Sequence, residues 1–77
     1  MKFEILECVV LAHDIPGHGL RAGDLGTVVM IYPESGIEVE FVRGSGANQA
    51  NLTLTDKDVR KIDSCDLLAI RRLAEVA

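Results

Sequence analysis

Residues 25–42 read "LGTVVMIYPESGIEVEFV", two apolar runs joined by a turn. The second run, residues 37–42, alternates cleanly. Ile37, Val39 and Phe41 fall on one side, Glu38 and Glu40 on the other. Side chains of an extended strand point to opposite faces in turn, so this is an antiparallel strand with one face buried and one in water. The first run, residues 25–32, is rich in β-branched and aliphatic residues and reads as the partner strand. Between them "PESG" supplies the turn: Pro33 presets φ, and Gly36 tolerates a left-handed backbone.

Working outward, "FEILECVVLA" (3–12) reads as a first strand, part-buried on both faces. "RGSGANQ" (43–49) is a hairpin loop. "ANLTLT" (50–55) alternates again with Leu52 and Leu54 inward, "DKD" (56–58) is a short turn, and "VRKI" (59–62) a last brief strand. Five short strands cannot hide both faces as a flat sheet. Rolling into a small barrel removes most exposed edges, so residues 1–62 are expected to form a mainly β, five-stranded barrel.

The remaining segment, "DSCDLLAIRRLAEVA" (63–77), loses the period of two. Asp63 or Ser64 can cap a helix, and Asp66 suits its first turn. At 100° per residue Leu67, Ile70, Leu73, Ala74, Val76 and Ala77 gather on one face, with Arg71, Arg72 and Glu75 opposite. The spacing predicts a C-terminal amphipathic α-helix over 63–77, packed on the barrel or held at an interface. Burying Leu67, Ile70, Leu73 and Val76 would contribute on the order of 6–10 kcal/mol as an upper bound. A helix this short is marginal unless it docks.

Composition narrows the functional classes. A chain of 77 residues makes one small domain, and a core this thin leaves little room to enclose a substrate. The apolar share is 48%, with Phe3, Tyr32 and Phe41 the only aromatics. Net charge is −4: residues 1–56 hold eight acids against three bases, and residues 57–77 four acids against five bases. Nucleic-acid affinity rests on cations that displace phosphate counterions, so an acidic body argues against that partner and against an anionic membrane. Cys8 and Cys65 are too few and too far apart for a disulfide framework and read as two buried thiols. Glu4 and Glu7 interrupt the one apolar stretch that could open a signal peptide, and no run approaches the ~20 apolar residues of a membrane span. The expected location is the cytoplasm.

The stretch "HDIPGHGLRAGDLG" (13–26) holds four glycines and both histidines. A phosphate-cradling loop opens a helix, whereas this one leads into "TVVMIY", which is strand-like, and lacks a Gly-Lys-Ser/Thr step. Its glycines therefore read as turn formers. The ordered combination "ILECVVLAHDIPGHGLRAGDLGTVVMIYPESGIEVEFV…NLTLTDKDVRKI" resembles a family of small bacterial proteins, domain of unknown function 4926, over residues 4–62. That resemblance implies an SH3-like barrel and no established activity; the C-terminal helix lies outside it. More distantly the "GTV" step and the late strand-turn-strand are similar to SH3-like accessory subunits of electron-transport complexes and to the SH3-like part of nitrile hydratase, non-catalytic modules seated on larger partners. That is analogy at the level of fold.

Several residues are of types that can carry chemistry. His13, Asp14 and His18, with Cys8 upstream, could ligate a metal, but their spacing matches no zinc pattern. A Cys8–histidine dyad is disfavoured by the apolar strand around the thiol. Glu38 and Glu40, about 7 Å apart along one strand face, read as a solvated surface. Lys57, Arg60, Lys61, Arg71 and Arg72 could form a nucleic-acid patch, the alternative reading, although solvated pairing with neighbouring acids explains them as well. The leading reading is a non-catalytic protein–protein interaction module or accessory subunit, without cofactor or metal, whose partner is another chain or a second copy. The candidate contact residues are Leu67, Ile70, Leu73, Val76, His13 and His18.

Overall fold

Alternation and turn chemistry place five strands, β1 (Cys8–Leu11), β2 (Leu25–Tyr32), β3 (Gly36–Val42), β4 (Asn48–Leu54) and β5 (Val59–Lys61). The computed structural model of the chain describes residues 3–34 and 36–73. The hairpin of residues 25–42 is present, with Val28 opposite Val39 and Ile31 opposite Ile37, and a bulge between Val28 and Met30. All five strands join one antiparallel sheet in the order β4-β3-β2-β1-β5.

The sheet must curve. Strands sit about 4.8 Å apart, so β4 and β5, at opposite edges, would lie ~19 Å apart in a flat sheet. Only residues 55–58 join Leu54 to Val59, and they are folded into a turn in which Asp58 N donates to Thr55 O at 3.0 Å. Fully extended they would reach only ~18 Å. Curvature brings side chains of all five strands into one core: Val9 and Leu11, Val28, Ile37, Val39 and Phe41, Ala50 and Leu54, and Val59. Leu20, from the long loop after β1, closes the cluster and is 4% exposed.

Four expectations need correction. The barrel does not close: among the described residues β4 pairs with β3 alone and β5 with β1 alone, so the sheet keeps two edges. β5 has only three residues, so even a closed seam with β4 would hold few backbone hydrogen bonds. The first strand begins at Cys8 instead of residue 3, because Glu7 N donates to Glu4 O at 3.1 Å and Leu6 takes a left-handed φ of 70°, turning the chain before the strand. The thiols are not buried. With Val9 and Leu11 turned inward, Cys8 faces out, and Cys65 is exposed as well.

The C-terminal helix is also absent: residues 67–73 carry no regular secondary structure, and residues 74–77, with Ala74, Glu75, Val76 and Ala77, lie outside the described residues. The capping residues behave as read but propagate nothing. Cys65 N donates to Asp63 Oδ1 at 2.8 Å, and Asp63 N to Asp66 Oδ2 at 2.7 Å, the reciprocal pattern of a helix start. One turn forms, with Asp66 N on Asp63 O. Starting a helix is costly and is recovered only by extending it over a buried face. Here Leu67 and Ile70 gain no such burial, and Arg71 is held elsewhere.

The long loop is bent by local chemistry. Pro16–His18 form a single 3₁₀ turn ended by Gly19 at φ 69°, and Ile15 and Leu20 exchange backbone hydrogen bonds of 2.9 and 3.2 Å across it. Gly26 serves packing instead. A Cβ there would overlap Val39 Cγ1 and come within 2.9 Å of the Phe41 ring. Replacing Gly26 by Ala is expected to cost on the order of 1–3 kcal/mol, a fall of roughly 5–20 °C in Tm by thermal denaturation. Gly17→Ala, with open space around it, is expected to leave Tm unchanged or slightly raised.

Candidate partner-binding surface

Beyond β5 the chain crosses the outer side of the sheet as a strap, fastened at two points by arginine–carboxylate pairs. At the first, Arg60 Nη1 and Nη2 donate to Asp66 Oδ2 and Oδ1 at 2.7 and 2.9 Å. That bidentate contact, with the Asp63 amide, holds the Asp66 carboxyl down to about 2. At the second, Arg71 Nε and Nη2 donate to Asp24 Oδ1 and Oδ2 at 3.0 and 2.6 Å, and Nη2 also donates to Gly19 O at 3.0 Å. Burial pushes the Asp24 carboxyl up, but Arg71 and the Arg21 amide outweigh it and leave it below its ordinary value.

Between these fastenings the strap presents apolar side chains to solvent. Leu67 is 90% exposed, Leu68 63% and Ile70 102%. Leu73 is half-buried. Beneath Asp66–Ala69 lies a hollow of about 250 Å³ floored by Val10, which is 5% exposed although it points away from the main core. Further along, an open cleft of about 990 Å³ separates residues 69–73 from Leu20, Leu25, Phe41, Val42 and Gln49.

The histidines do other work. His13 Nε2 donates to Asp58 Oδ1 at 2.7 Å and Nδ1 to Asp14 O at 3.1 Å. Both ring nitrogens face acceptors, so only the imidazolium makes both bonds, and its pKa is raised above 6.5, first by Asp58 and then by the Asp14 carbonyl. His18 offers its backbone carbonyl, which accepts from Gln49 Nε2 at 2.9 Å. Asp14 Oδ1 accepts from Ala22 N at 2.9 Å, holding the loop closed. His13, Asp14, His18 and Cys8 do not converge: among the described residues no three His, Cys, Asp or Glu side chains form a metal-sized cluster.

The basic residues are drawn apart too. Arg60 is taken by Asp66 and Arg71 by Asp24. Lys61 Nζ pairs with Glu7 Oε2 at 2.9 Å and lies 5.3 Å from the Phe3 ring centre. Lys57 and Arg72 have no carboxylate partner among the described residues. Asp58, a neighbour in sequence of Lys57, goes to His13 and Thr55. The Asp24–Arg71 pair, separated by 47 positions, leaves no signature in the sequence.

Residues 5–61 match the family described as Domain of unknown function (DUF4926). The chain belongs to this family. The DUF4926 match covers the whole sheet and stops at Lys61, so the strap lies beyond it. No curated protein and no solved structure matches the chain. No helix among the described residues is long and apolar enough to cross a membrane.

Two outcomes are expected. His13 contributes stability that is complete below pH 6.5 and lost as pH rises through its raised pKa, so Tm should fall across that interval and lose this dependence in His13→Gln. Replacing Arg71 with Met should leave Tm of the sheet nearly unchanged and speed thermolysin cleavage between Asp66 and Leu73 several-fold, measured by mass spectrometry.

Proposed function

We propose that this protein is a non-catalytic protein-binding module, an accessory chain that docks on a larger partner through the strap. The observation that carries the reading is the exposure of Leu67 and Ile70 in a segment pinned at both ends by bidentate ion pairs. Single exposed aliphatic residues are ordinary on any surface. Three within four positions, on a backbone tethered by Arg60 and Arg71, form an ordered apolar ridge, and contact with a partner desolvates it without first ordering a loose tail.

The rest of the surface supports a binding role over a catalytic one. Every titratable side chain with a displaced pKa among the described residues sits in an ion pair that fastens one segment to another: Lys61 with Glu7, His13 with Asp58, Arg60 with Asp66, Arg71 with Asp24. None of these pairs is arranged as a nucleophile beside a base. Three of the five cations that could meet a phosphate backbone are engaged by carboxylates, which weighs against the nucleic-acid alternative.

The test is affinity capture from an extract of the source cell, with the intact tagged chain and the double variant Leu67→Asp/Ile70→Asp compared side by side. A partner retained by the native chain and lost from the variant, with circular dichroism and Tm matching, is the expected result. Equal retention by both would sink the strap reading. Retention of nucleic acid that disappears in salt would move the weight to the cationic alternative.

A further inference from the structure

The unclosed sheet leaves β4 as a free edge, and we propose that this edge takes up an extended, basic strand from a different protein, which adds to the sheet beside β4. The two edges of the sheet differ. β5 is three residues long, and the Lys61 carbonyl already accepts from Arg60 Nη1 at 3.2 Å. β4 is seven residues long, "NQANLTL", with no proline and no charged residue, the devices that usually blunt an edge. Its hydrogen-bonding phase follows from the register. Val28 turns its amide and carbonyl toward the chain before β1, bonding Glu7 O at 2.9 Å and Leu6 N at 2.6 Å. By alternation across β2 and β3, Val39 and Phe41 then face Leu52 and Ala50, and the backbone groups of Asn51 and Thr53 point outward. Among the described residues these outward groups have no backbone partner.

Charge selects the occupant. On the water-facing side of β3, Glu38 and Glu40 stand next to Thr53 and Asn51. Thr53 Oγ1 donates to Glu38 Oε1 at 2.7 Å, and Asn48 Nδ2 lies 3.4 Å from Glu40 Oε2, but neither carboxylate meets a Lys or Arg among the described residues. A strand added beside β4 lies about 9–10 Å from β3. A long Lys or Arg side chain spans that gap over the short Thr53 and Asn51. On the other side Leu52 is only half-buried, and an apolar residue of the incoming strand would finish covering it. The fitting segment therefore alternates basic and apolar residues, and strand addition is an established mode of peptide capture. A second copy brings another uncharged β4 and two more unneutralised glutamates, so self-pairing is disfavoured.

The inference rests on the protein-binding reading above only in kind, since it uses a different face from the strap, and the test separates them. A nine-residue peptide alternating Val and Lys is titrated into the ¹⁵N-labelled chain, with a Val–Glu peptide in parallel. Expected are saturable shifts centred on Asn51 and Thr53 with the basic peptide and none with the acidic one. Affinity should weaken about tenfold or more in Thr53→Pro, which removes an outward N–H, and in Glu38→Gln/Glu40→Gln, and stay unchanged in Leu67→Asp/Ile70→Asp. Matching far-ultraviolet circular dichroism keeps each variant interpretable, and Glu38→Gln/Glu40→Gln alone decides the matter if Thr53→Pro does not fold. Absence of binding, equal binding of the acidic peptide, shifts confined to the strap, or dimerisation of the free chain through β4 in sedimentation would each overturn it.

Discussion

The structure depends on one constraint: the short link from Leu54 to Val59. It ties together the two strands that the sheet order puts furthest apart, and the sheet can satisfy it only by curving until Ala50 and Leu54 share a core with Val9, Leu11 and Val59. Asp58 concentrates the bonds that make the link tight. Its Oδ2 accepts from Thr55 N and Oγ1, its amide donates to Thr55 O, its carbonyl accepts from Ala12 N, and its Oδ1 accepts from His13. One carboxylate thus joins the late turn to the end of β1. Gly26 acts at the same level, since only a residue without a side chain lets β2 pass this close to Val39 and Phe41.

What curvature cannot do is close the ring. β5 is only three residues long and pairs with β1, so the seam toward β4 stays open, and polar side chains and the strap take over the finishing of the surface. Gln49 is an example: its amide nitrogen reaches His18 O and its amide oxygen accepts from Arg43, lashing the long loop to the start of β4. Val10 is another, an apolar residue on the outer face that stays buried because the strap passes over it. In a domain with so small a core, residues 66–69 serve as covering for Val10.

The strands were legible wherever a period of two coincided with a turn signal. Ile37, Val39 and Phe41 sit where alternation places them, and the family resemblance drawn from the ordered combination of segments holds over residues 5–61. The helical spacing of the C-terminal segment does not produce a helix, for a physical reason. Leu67, Ile70 and Leu73 do have helical spacing, and Asp63 with Asp66 does form the start, but spacing says only that a face exists, not that anything covers it. The decision fell to long-range ion pairs, Asp24 with Arg71 above all, and a contact across 47 positions has no local signature. His13 and Asp14, adjacent in sequence, are held by different neighbours, His13 by Asp58 and Asp14 by the Ala22 amide, and neither contact has a local signature. Of the strap, the apolar residues are legible in the sequence and their tethering by Arg60 and Arg71 is not.

Arg71 holds the strap and the long loop with one guanidinium, because its nitrogens reach Asp24 and Gly19 O at once. The two segments are therefore thermodynamically joined. Anything that lifts Arg71 away takes from Asp24 its cation and from the Gly19 carbonyl its donor, and anything that reshapes the loop weakens the anchor of the strap by the same free energy. One guanidinium thus couples the order of residues 66–73 to that of the loop at residues 19–24.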